Sequence, residues 1–297
     1  MTEKFRAVSP QLMENEPMSR HTTFRIGGPA DMFVSVRSAE EASELIRLAK
    51  EIEIPYMVMG NGSNMLVSDK GIRGLVIQIG SSMTGCEING ATAVAQAGIL
   101  MSKLAAELLK AELTGFEALS GIPGTLGGGI FMNAGAYGGE IKNVIKSVTY
   151  LDEDGSLHEI SGEDCRFGYR ESVFTDGGKY IVSAVLELEN GSYEDIKAAM
   201  ADYNKRRNDK QPLSMPSAGS TFKRPEGHFA GKLIQDAGLM GYSIGGAQVS
   251  CKHAGFIVNK GGASAADVLE LIEYVKKTVK EKFDVVLEPE VRLIGDE

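Results

Sequence analysis

The chain has 297 residues, of which 43% are hydrophobic and 24% are charged, and its formal net charge is −9. This length suggests two or three domains with ample core, and the acidic balance argues against nucleic acid or an anionic membrane surface as a partner. We find no signal peptide, long apolar run or lipidation motif, so we expect a cytoplasmic protein without membrane insertion.

The first half of the chain predicts helices alternating with strands. Ser38-Ala-Glu-Glu41 has the form of a capping box and should open a helix. The apolar residues that share one face of this helix are Ala42, Leu45, Ile46, Ala49 and Ile52. Asn89-Gly90 is the preferred pair for a two-residue turn and predicts a hairpin. The other elements expected here are a strand ending at Met59, a strand over 75–79 and a helix over 100–113.

The second half of the chain continues this mixture. A hairpin is expected over 147–151 and 156–160, then a long strand over 180–188 and a helix from Ser192 to about Arg207. Pro212, Pro216 and Pro225 indicate a passage between domains. Beyond it we expect a helix over 229–237, a strand region over 249–259, a helix capped by Ser264-Ala-Ala-Asp267, and strands over 285–287 and 291–294. Helices mixed with hairpins favour an α+β fold.

Two glycine runs are the most informative feature of the sequence. Eight of the nineteen residues from Gly121 to Gly139 are glycine, and Gly60-Asn-Gly-Ser-Asn64 follows an apolar run. Glycine at this density marks sharp turns or close approach of the backbone to a ligand. Two such loops suggest one extended anionic ligand held by main-chain N–H groups, and the alternative is a set of tight turns between strands.

Several common site motifs are missing from the sequence. There is no Gly-x-Gly-x-x-Gly and no Walker loop, which argues against a Rossmann dinucleotide site and a P-loop. Cys86, Cys165 and Cys251 are widely spaced and form no metal or disulfide pattern. We therefore expect reduced, buried thiols and no metal site.

Polar residues at three further places suggest a binding site. The stretch 205–224 carries six basic residues and one acid, and Arg207 and Lys210 could clasp a phosphate group there or only complement a helix end. Ser220 follows a glycine and could act as a loop hydroxyl or an acid. An arginine flanked by aromatics, Arg170, suits a carboxylate or phosphate, although structural ion pairs are commoner.

Taken together, the short sequence motifs of this chain resemble those of the UDP-N-acetylenolpyruvoylglucosamine reductase family, also called UDP-N-acetylmuramate dehydrogenases or the MurB family. The matching strings, in the family's order, are His21-Thr-Thr-Phe-Arg25-Ile-Gly-Gly28, Gly60–Asn64, Gly121-Ile-Pro-Gly124 through Asn133-Ala-Gly-Ala-Tyr-Gly138, Tyr169-Arg-Glu-Ser172, Ala218-Gly-Ser-Thr-Phe-Lys223 and Leu287-Glu-Pro-Glu-Val-Arg292. The stretch from Ser172 to Tyr180 is short, so the chain looks like the family's second type, which lacks a tyrosine-bearing loop.

The resemblance implies an α+β fold with a two-part FAD-binding domain of the vanillyl-alcohol-oxidase (PCMH) type and a C-terminal α+β substrate-binding domain. The expected boundaries are 1–75, 76–204 and 205–297, with the last strand either in the third domain or packed back on the FAD domain. FAD should be noncovalent, since no histidine lies in a glycine loop. The cofactor-binding residues it implies are Arg25, Gly60, Asn61, Gly62, Ser63, Asn64, Gly121, Gly124, Gly127, Gly128, Asn133, Ala134 and Gly135.

The resemblance also implies a reaction. NADPH would reduce FAD, and FAD would reduce the enolpyruvyl ether of UDP-N-acetylglucosamine-enolpyruvate, giving UDP-N-acetylmuramate for peptidoglycan synthesis. Ser220 would be the proton donor, and Arg170 and Glu290 would act at the developing carboxylate charge. The implied substrate-binding residues are Tyr169, Arg207, Lys210 and Lys223.

Two alternatives to this reaction stay open at the level of sequence. One is another PCMH-type flavin oxidoreductase with a different small substrate, and the other is a noncatalytic sugar-nucleotide or flavin-binding module. The sequence does not determine the oligomeric state.

Overall fold

The structure is a computed structural model that describes residues 2–295. Residues 1, 296 and 297, which belong to the first and third predicted domains, lie outside the described residues. The helices, in chain order, are α1 Thr2–Val8, α2 Ala39–Glu51, α3 Met101–Lys110, α4 Leu126–Phe131, α5 Tyr193–Lys210, α6 Ala230–Asp236 and α7 Ala265–Phe283.

The strands are short and fall into several sheets. In chain order they are β1 Met13–Pro17, β2 Pro29–Val36, β3 Tyr56–Met59, β4 Met65–Val67, β5 Ile72–Ile79, β6 Cys86–Asn89, β7 Thr92–Gln96, β8 Leu113–Thr114, β9 Gly135–Ala136, β10 Gly139–Glu140, β11 Ile145–Asp152, β12 Leu157–Ser161, β13 Lys179–Glu187, β14 Glu189–Asn190, β15 Ser243–Ile244, β16 Ala247–Val249, β17 Ile257–Asn259 and β18 Arg292–Ile294. This mixture of helices with largely antiparallel strands confirms the predicted α+β class.

The chain forms two compact units. Of the described residues, the first unit comprises 2–14, 32–61 and 74–207, and the second comprises 15–31, 62–73 and 208–295. Each unit is thus made of segments that are not consecutive in sequence. The three domain boundaries expected from the sequence stay a prediction.

The first unit is built around an antiparallel sheet with the strand order β12-β11-β13-β7-β6. Its two predicted hairpins are confirmed, with Ile88 opposite Ala93 in one and Thr149 opposite Glu159 in the other. The unit also contains most of a sheet ordered β1-β2-β5-β3, in which β3 and β5 run parallel. Alternating apolar residues of these sheets and of α2 and α3 form one buried core.

Helix α2 starts at the predicted cap, although the capping box is only half formed. The Ser38 hydroxyl accepts the N–H of Glu41, as expected. The Glu41 carboxylate, however, accepts the N–H of Arg37, one residue earlier than a capping box requires. The equivalent box at the start of α7 is complete, with Ser264 and Asp267 each accepting the other's N–H.

The second unit has its own core and a small sheet ordered β15-β16-β17. Helix α7 contributes a buried stripe that includes Val268, Leu271, Ile272, Val275 and Val279. Its N-terminal amides, those of Ala265 and Ala266, donate to the Asp69 carboxylate. Strand β18 pairs in parallel with β4, so the end of the chain returns to the segment that follows the first glycine loop.

Three expectations from the sequence are wrong in this unit. The region 249–259 is divided between β16 and β17, because the chain turns around His253 between them. Residues 285–287 enter no strand of the described chain, and the alternation there only buries Leu287. Cys251 is exposed because it lies in that turn, whereas Cys165 is buried as expected.

Candidate active site

Within the first unit, Gly60 at the start of the first glycine run lies against Thr125 of the second run. A Cβ atom placed at Gly60 would lie 2.5 Å from the hydroxyl oxygen of Thr125. Thr125 is also the N-cap of α4, and its hydroxyl accepts the N–H of Gly128 at 3.4 Å. Only glycine fits at position 60, because any side chain would collide with this cap.

Helix α4 was not expected from the sequence, because glycine is a poor helix former. The segment Leu126–Phe131 is helical because Thr125 caps it and Leu126 and Ile130 are buried. Gly127 and Gly128 therefore do not have the positive φ that a turn would require. Gly127 is needed for space, since a Cβ there would lie 2.9 Å from the Ala97 Cβ atom.

Backbone N–H groups without a protein acceptor lie just before α4 rather than within it. The Leu126 and Gly127 amides donate to Ile99 and Ala97 at 2.8 and 2.9 Å. Among the described residues 2–295, the amides of Gly124 and Thr125 donate to no acceptor, although both residues are buried. A buried amide without an acceptor is costly, so these two are suited to an anionic group.

The first glycine loop has the same property. The amides of Gly60, Asn61, Gly62 and Ser63 donate no hydrogen bond within the described chain. The carbonyls of this loop are used instead, since Gly60 accepts from Gln78 at 3.2 Å and Gly62 accepts from Thr23 at 3.3 Å. A loop that directs consecutive amides away from protein acceptors fits a phosphate-containing cofactor such as FAD.

Arg170 lies in a tight loop of the first unit. Its backbone is left-handed, with φ of 60°, and the loop is closed by the Gly168 amide donating to the Glu171 carbonyl at 3.0 Å. The guanidinium lies 5.1 Å from the centre of the Tyr169 ring and donates to the Gly135 carbonyl at 3.3 Å. Tyr169 is 54% exposed. The strained backbone and these contacts fix the direction of the arginine.

Asn133 has its side chain fully engaged inside the protein. The amide nitrogen donates to the Glu140 carboxylate at 2.9 Å and to the Gly168 carbonyl at 2.8 Å, and the side-chain oxygen accepts the Lys142 amide. The backbone amides of Asn133 and Ala134 donate to Ile130 and Gly129. Any contact that these two residues make with a cofactor would therefore use their carbonyls or van der Waals surface.

Glu140 and Lys142 were missed by reasoning from the sequence. Their side chains form an ion pair at 2.8 Å. The hydrogen bond from Lys142, followed by that from Asn133, lowers the pKa of the Glu140 carboxyl, and the charge of Arg170 lowers it further. The site thus places one carboxylate among two cations. The sequence gives only a weak indication of these two residues, because Glu140 comes close to Asn133 only when the hairpin between them has formed.

Arg207 and Lys210 differ in their surroundings, although both lie in the last turn of α5. Arg207 is buried, which lowers the pKa of its guanidinium, while Lys210 is exposed. The guanidinium lies 5.9 Å from the Tyr137 ring, which stacks on Tyr203 at 5.2 Å. It also packs against Gly121, where a Cβ atom would lie 3.0 Å from Nε.

In the second unit, Ser220 and Glu290 lie on neighbouring segments. The Glu290 amide donates to the Thr221 carbonyl and the Lys223 amide donates to the Glu288 carbonyl, both at 2.8 Å. Ser220 is exposed, and its hydroxyl has no hydrogen-bond partner in the described part of the chain. The Lys223 ammonium lies 3.3 Å from the Glu288 carboxylate.

Asn64 and Arg25 complete the predicted cofactor residues in this unit. The Asn64 side chain donates to the Glu290 carbonyl at 3.1 Å, and its own carbonyl accepts the Arg292 amide at 3.0 Å. Asn64 thus links the first glycine loop to the segment that carries Glu290. Arg25 is exposed and left-handed, with φ of 55°.

Residues 2–295 contain neither a metal-binding cluster nor a membrane-spanning helix. No group of three or more His, Cys, Asp or Glu side chains within residues 2–295 is arranged to hold a metal ion. None of the helices in these residues has both the length and the apolarity needed to cross a membrane.

Comparison with known proteins connects the two halves of the chain to named domains. Residues 30–161 match the family described as FAD binding domain, and residues 211–294 match UDP-N-acetylenolpyruvoylglucosamine reductase, C-terminal domain. A UDP-N-acetylenolpyruvoylglucosamine reductase of Clostridioides difficile is 52% identical over 95% of this chain and 93% of its own.

Solved structures agree with these matches. The UDP-N-acetylenolpyruvylglucosamine reductase (MurB) of Thermus caldophilus has a TM-score of 0.82 at 35% identity, over 95% of this chain and 98% of its own. The Physcomitrella patens BBE-like 1 protein, at a TM-score of 0.50 and 15% identity over 64% of this chain and 44% of its own, is similar in fold alone.

These findings confirm the fold expected from the sequence. The chain has an FAD-binding domain of the vanillyl-alcohol-oxidase (PCMH) type and a C-terminal α+β domain. The chain belongs to the UDP-N-acetylenolpyruvoylglucosamine reductase family.

Proposed function

We propose that this chain is an FAD-dependent oxidoreductase that uses NADPH to reduce UDP-N-acetylglucosamine-enolpyruvate to UDP-N-acetylmuramate, a precursor of peptidoglycan. The observation that carries the proposal is the 52% identity, over 95% of the chain, to a relative named UDP-N-acetylenolpyruvoylglucosamine reductase. No comparison favours a different flavin oxidoreductase or a noncatalytic binding module. We place the reaction in the cytoplasm.

The glycine runs would hold FAD noncovalently. The buried amides of Gly124 and Thr125, and the open amides from Gly60 to Ser63, would donate to the cofactor's phosphate oxygens. Gly60 lets the two runs approach each other, because it leaves room for the Thr125 hydroxyl. FAD held there would supply the hydride chemistry that connects NADPH with the methylene carbon of the enolpyruvyl group.

Arg170 would stabilise the negative charge that develops on the substrate as its double bond is reduced. A guanidinium held by the Gly135 carbonyl and the Tyr169 ring costs little reorganisation when charge appears in front of it. The Glu140 carboxylate lies close enough to interact with the positive charge of Arg170. It also forms an ion pair with Lys142 and accepts a hydrogen bond from Asn133. A planar guanidinium suits a carboxylate ligand, because its N–H groups match the two carboxylate oxygens.

Ser220 would donate the proton to the carbon that bears the carboxylate. Its hydroxyl is exposed and has no partner within residues 2–295, so no internal hydrogen bond has to break first. A serine hydroxyl is a weak acid, but an enolate carbon is a strong base, which makes the transfer favourable. Glu290, held on the adjacent segment by the Thr221 carbonyl, would act at the same reacting group.

The substrate's diphosphate would be bound by the cations at the end of α5. Arg207 is buried and fixed, whereas Lys210 is exposed and can adjust to the ligand. Tyr169 and Lys223 would add further contacts to the sugar nucleotide. These assignments rest on the resemblance of the motifs and on the local geometry of each unit.

The proposal is tested by the absorption spectrum of the purified protein under argon. We expect bound FAD that acid releases, bleaching by NADPH, and recovery of the oxidised spectrum on adding the enolpyruvyl sugar but not UDP-N-acetylglucosamine. Recovery only with oxygen would favour another flavin oxidoreductase. A flavin that NADPH does not bleach would favour a noncatalytic binding module.

A further inference from the structure

The loop that carries Arg170 is attached to the protein at both of its ends by the last residue of α4 and the segment that follows it. At one end, the Gly168 carbonyl accepts the Asn133 side-chain amide at 2.8 Å. At the other, the Ser172 hydroxyl donates to the Phe131 carbonyl at 2.7 Å. The arginine therefore lies between two attachment points that involve residues only two positions apart in sequence.

Asn133 is suited to this contact in two respects. Its φ of 42° is left-handed, a conformation that asparagine adopts more readily than most residues. Its side chain is buried, at 1% exposure, and carries two N–H groups, of which one bonds Glu140 and the other Gly168. Few other side chains tolerate this backbone and also supply two donors.

We propose that Asn133 is a positioning residue that acts through Arg170. The inference rests on the proposed function, because it assigns Arg170 to the developing charge of the substrate. Arg170 holds a left-handed backbone that a bulky residue rarely adopts, so its neighbours have to impose it. The bond from Asn133 to Gly168 lies two residues from that strained position, and it sets where the guanidinium points.

The substitution that isolates this role is Asn133→Asp. Aspartate tolerates the same left-handed backbone and has nearly the same shape, but it lacks the two N–H donors. In the variant, the Gly168 carbonyl loses its donor, so the Arg170 loop should move. An error of about 1 Å in the position of a catalytic group can cost about 10²-fold in rate.

The measurement is the reoxidation of the NADPH-reduced protein by the enolpyruvyl sugar in anaerobic stopped flow. We expect Asn133→Asp to slow this step by about 10²-fold, a much larger loss than in the bleaching of the flavin by NADPH. Arg170→Ala should be slower still, and adding Asn133→Asp to it should cause no further loss. Independent, multiplying losses would overturn the inference, because a purely structural role has no reason to depend on Arg170.

A matched control separates the Gly168 bond from the Glu140 bond. Asn133→Asp also places a second carboxylate against Glu140, and the double variant Asn133→Asp/Glu140→Gln removes that repulsion. We expect the double variant to stay slow, because the Gly168 carbonyl still lacks its donor. Recovery of the wild-type rate would mean that the effect came from charge at Glu140 and would contradict the inference.

A crystal structure of Asn133→Asp gives a readout that is independent of activity. We expect the backbone of residues 168–171 to be displaced and the bond from Arg170 to the Gly135 carbonyl to be lost. An unchanged loop would overturn the inference even if the variant is reoxidised slowly. Failure of the wild-type protein to be reoxidised by the sugar would instead contradict the proposed function and leave the structural result to decide the role of Asn133.

Discussion

Arg170 and Ser220, the two side chains proposed to complete the reaction, are held in opposite ways. Arg170 has a strained backbone, a carbonyl acceptor and an aromatic ring beneath its guanidinium. Ser220 is exposed, and its hydroxyl has no partner among residues 2–295. The difference follows from the chemistry, because a group that stabilises charge gains from being fixed, whereas a proton donor should not have to break an internal bond.

The same contrast recurs in two other pairs. Arg207 is buried and Lys210 is exposed at the end of one helix. Gly127 packs against Ala97, whereas a Cβ atom at Gly128 would meet nothing closer than the Thr125 hydroxyl at 3.6 Å. In each pair one residue is part of the framework, and the other is open to a ligand.

Removing the proton donor should have the largest effect. Ser220→Ala should be bleached by NADPH at near the wild-type rate, but its reoxidation by the enolpyruvyl sugar should fall by about 10²–10⁴-fold. Stopped-flow absorbance of the flavin separates the two steps. Ser214→Ala, an exposed serine in the same stretch, is the control and should be unaffected. Equal slowing of both steps would mean that Ser220 positions the flavin.

Changing the fixed cation should have the next largest effect. Arg170→Lys keeps the charge but loses the planar fork of donors, so reoxidation by the sugar should slow by about 10–10²-fold. The matched control is Arg166→Lys, since Arg166 is also left-handed but pairs with Asp176 at the surface. A normal rate in Arg170→Lys would mean that charge alone matters at this position.

The two cations of α5 should differ in what their loss affects. Lys210→Ala should raise the KM for the sugar about tenfold, the size of a lost charge-assisted hydrogen bond, without changing the melting temperature. Arg207→Ala should raise the KM and also lower the melting temperature, because it empties a buried position. Lys205→Ala, exposed on the same helix, is the control. An unchanged KM in both variants would mean that these cations only complement the C-terminal end of α5 and do not bind the substrate.

The glycine pair should show the smallest effects. Gly127→Ala should destabilise the FAD-free protein by about 1–3 kcal/mol, because its Cβ atom overlaps the Ala97 side chain. Gly128→Ala should leave that stability nearly unchanged, since the position is helical and open, but it should weaken FAD retention. Thermal unfolding and ultrafiltration of the flavin measure the two quantities. Loss of FAD in Gly127→Ala at unchanged stability would mean that Gly127 serves FAD binding and not packing.

The elements predicted best from the sequence are those with local signals. The hairpin turn at Asn89-Gly90 and the cap at Ser264 were found where they were expected, because a few adjacent residues specify them. Helix α4 was missed, since its glycines oppose a helix and it is stabilised by the Thr125 cap and the burial of Leu126 and Ile130. The strand expected over 285–287 is absent from the described chain because no neighbouring segment pairs with it.

The site residues were likewise predicted only where a local motif marks them. Motif resemblance nominated Arg170, but nothing in the sequence showed that Asn133 bonds its loop or that Glu140 lies nearby. Those contacts arise only after the hairpin of β9 and β10 has closed, so they depend on the fold as a whole. The open amides of Gly124 and Thr125 likewise become recognisable only once the partners of their neighbours are known.

The most direct test of the account is an anaerobic single turnover with product identification. The protein is reduced by one equivalent of NADPH, mixed with the enolpyruvyl sugar nucleotide, and analysed by mass spectrometry as its flavin absorbance recovers. We expect a product heavier than the substrate by two hydrogen atoms, identical to UDP-N-acetylmuramate, in an amount equal to the bound FAD. Recovery of the flavin with the sugar nucleotide unchanged in mass would contradict it.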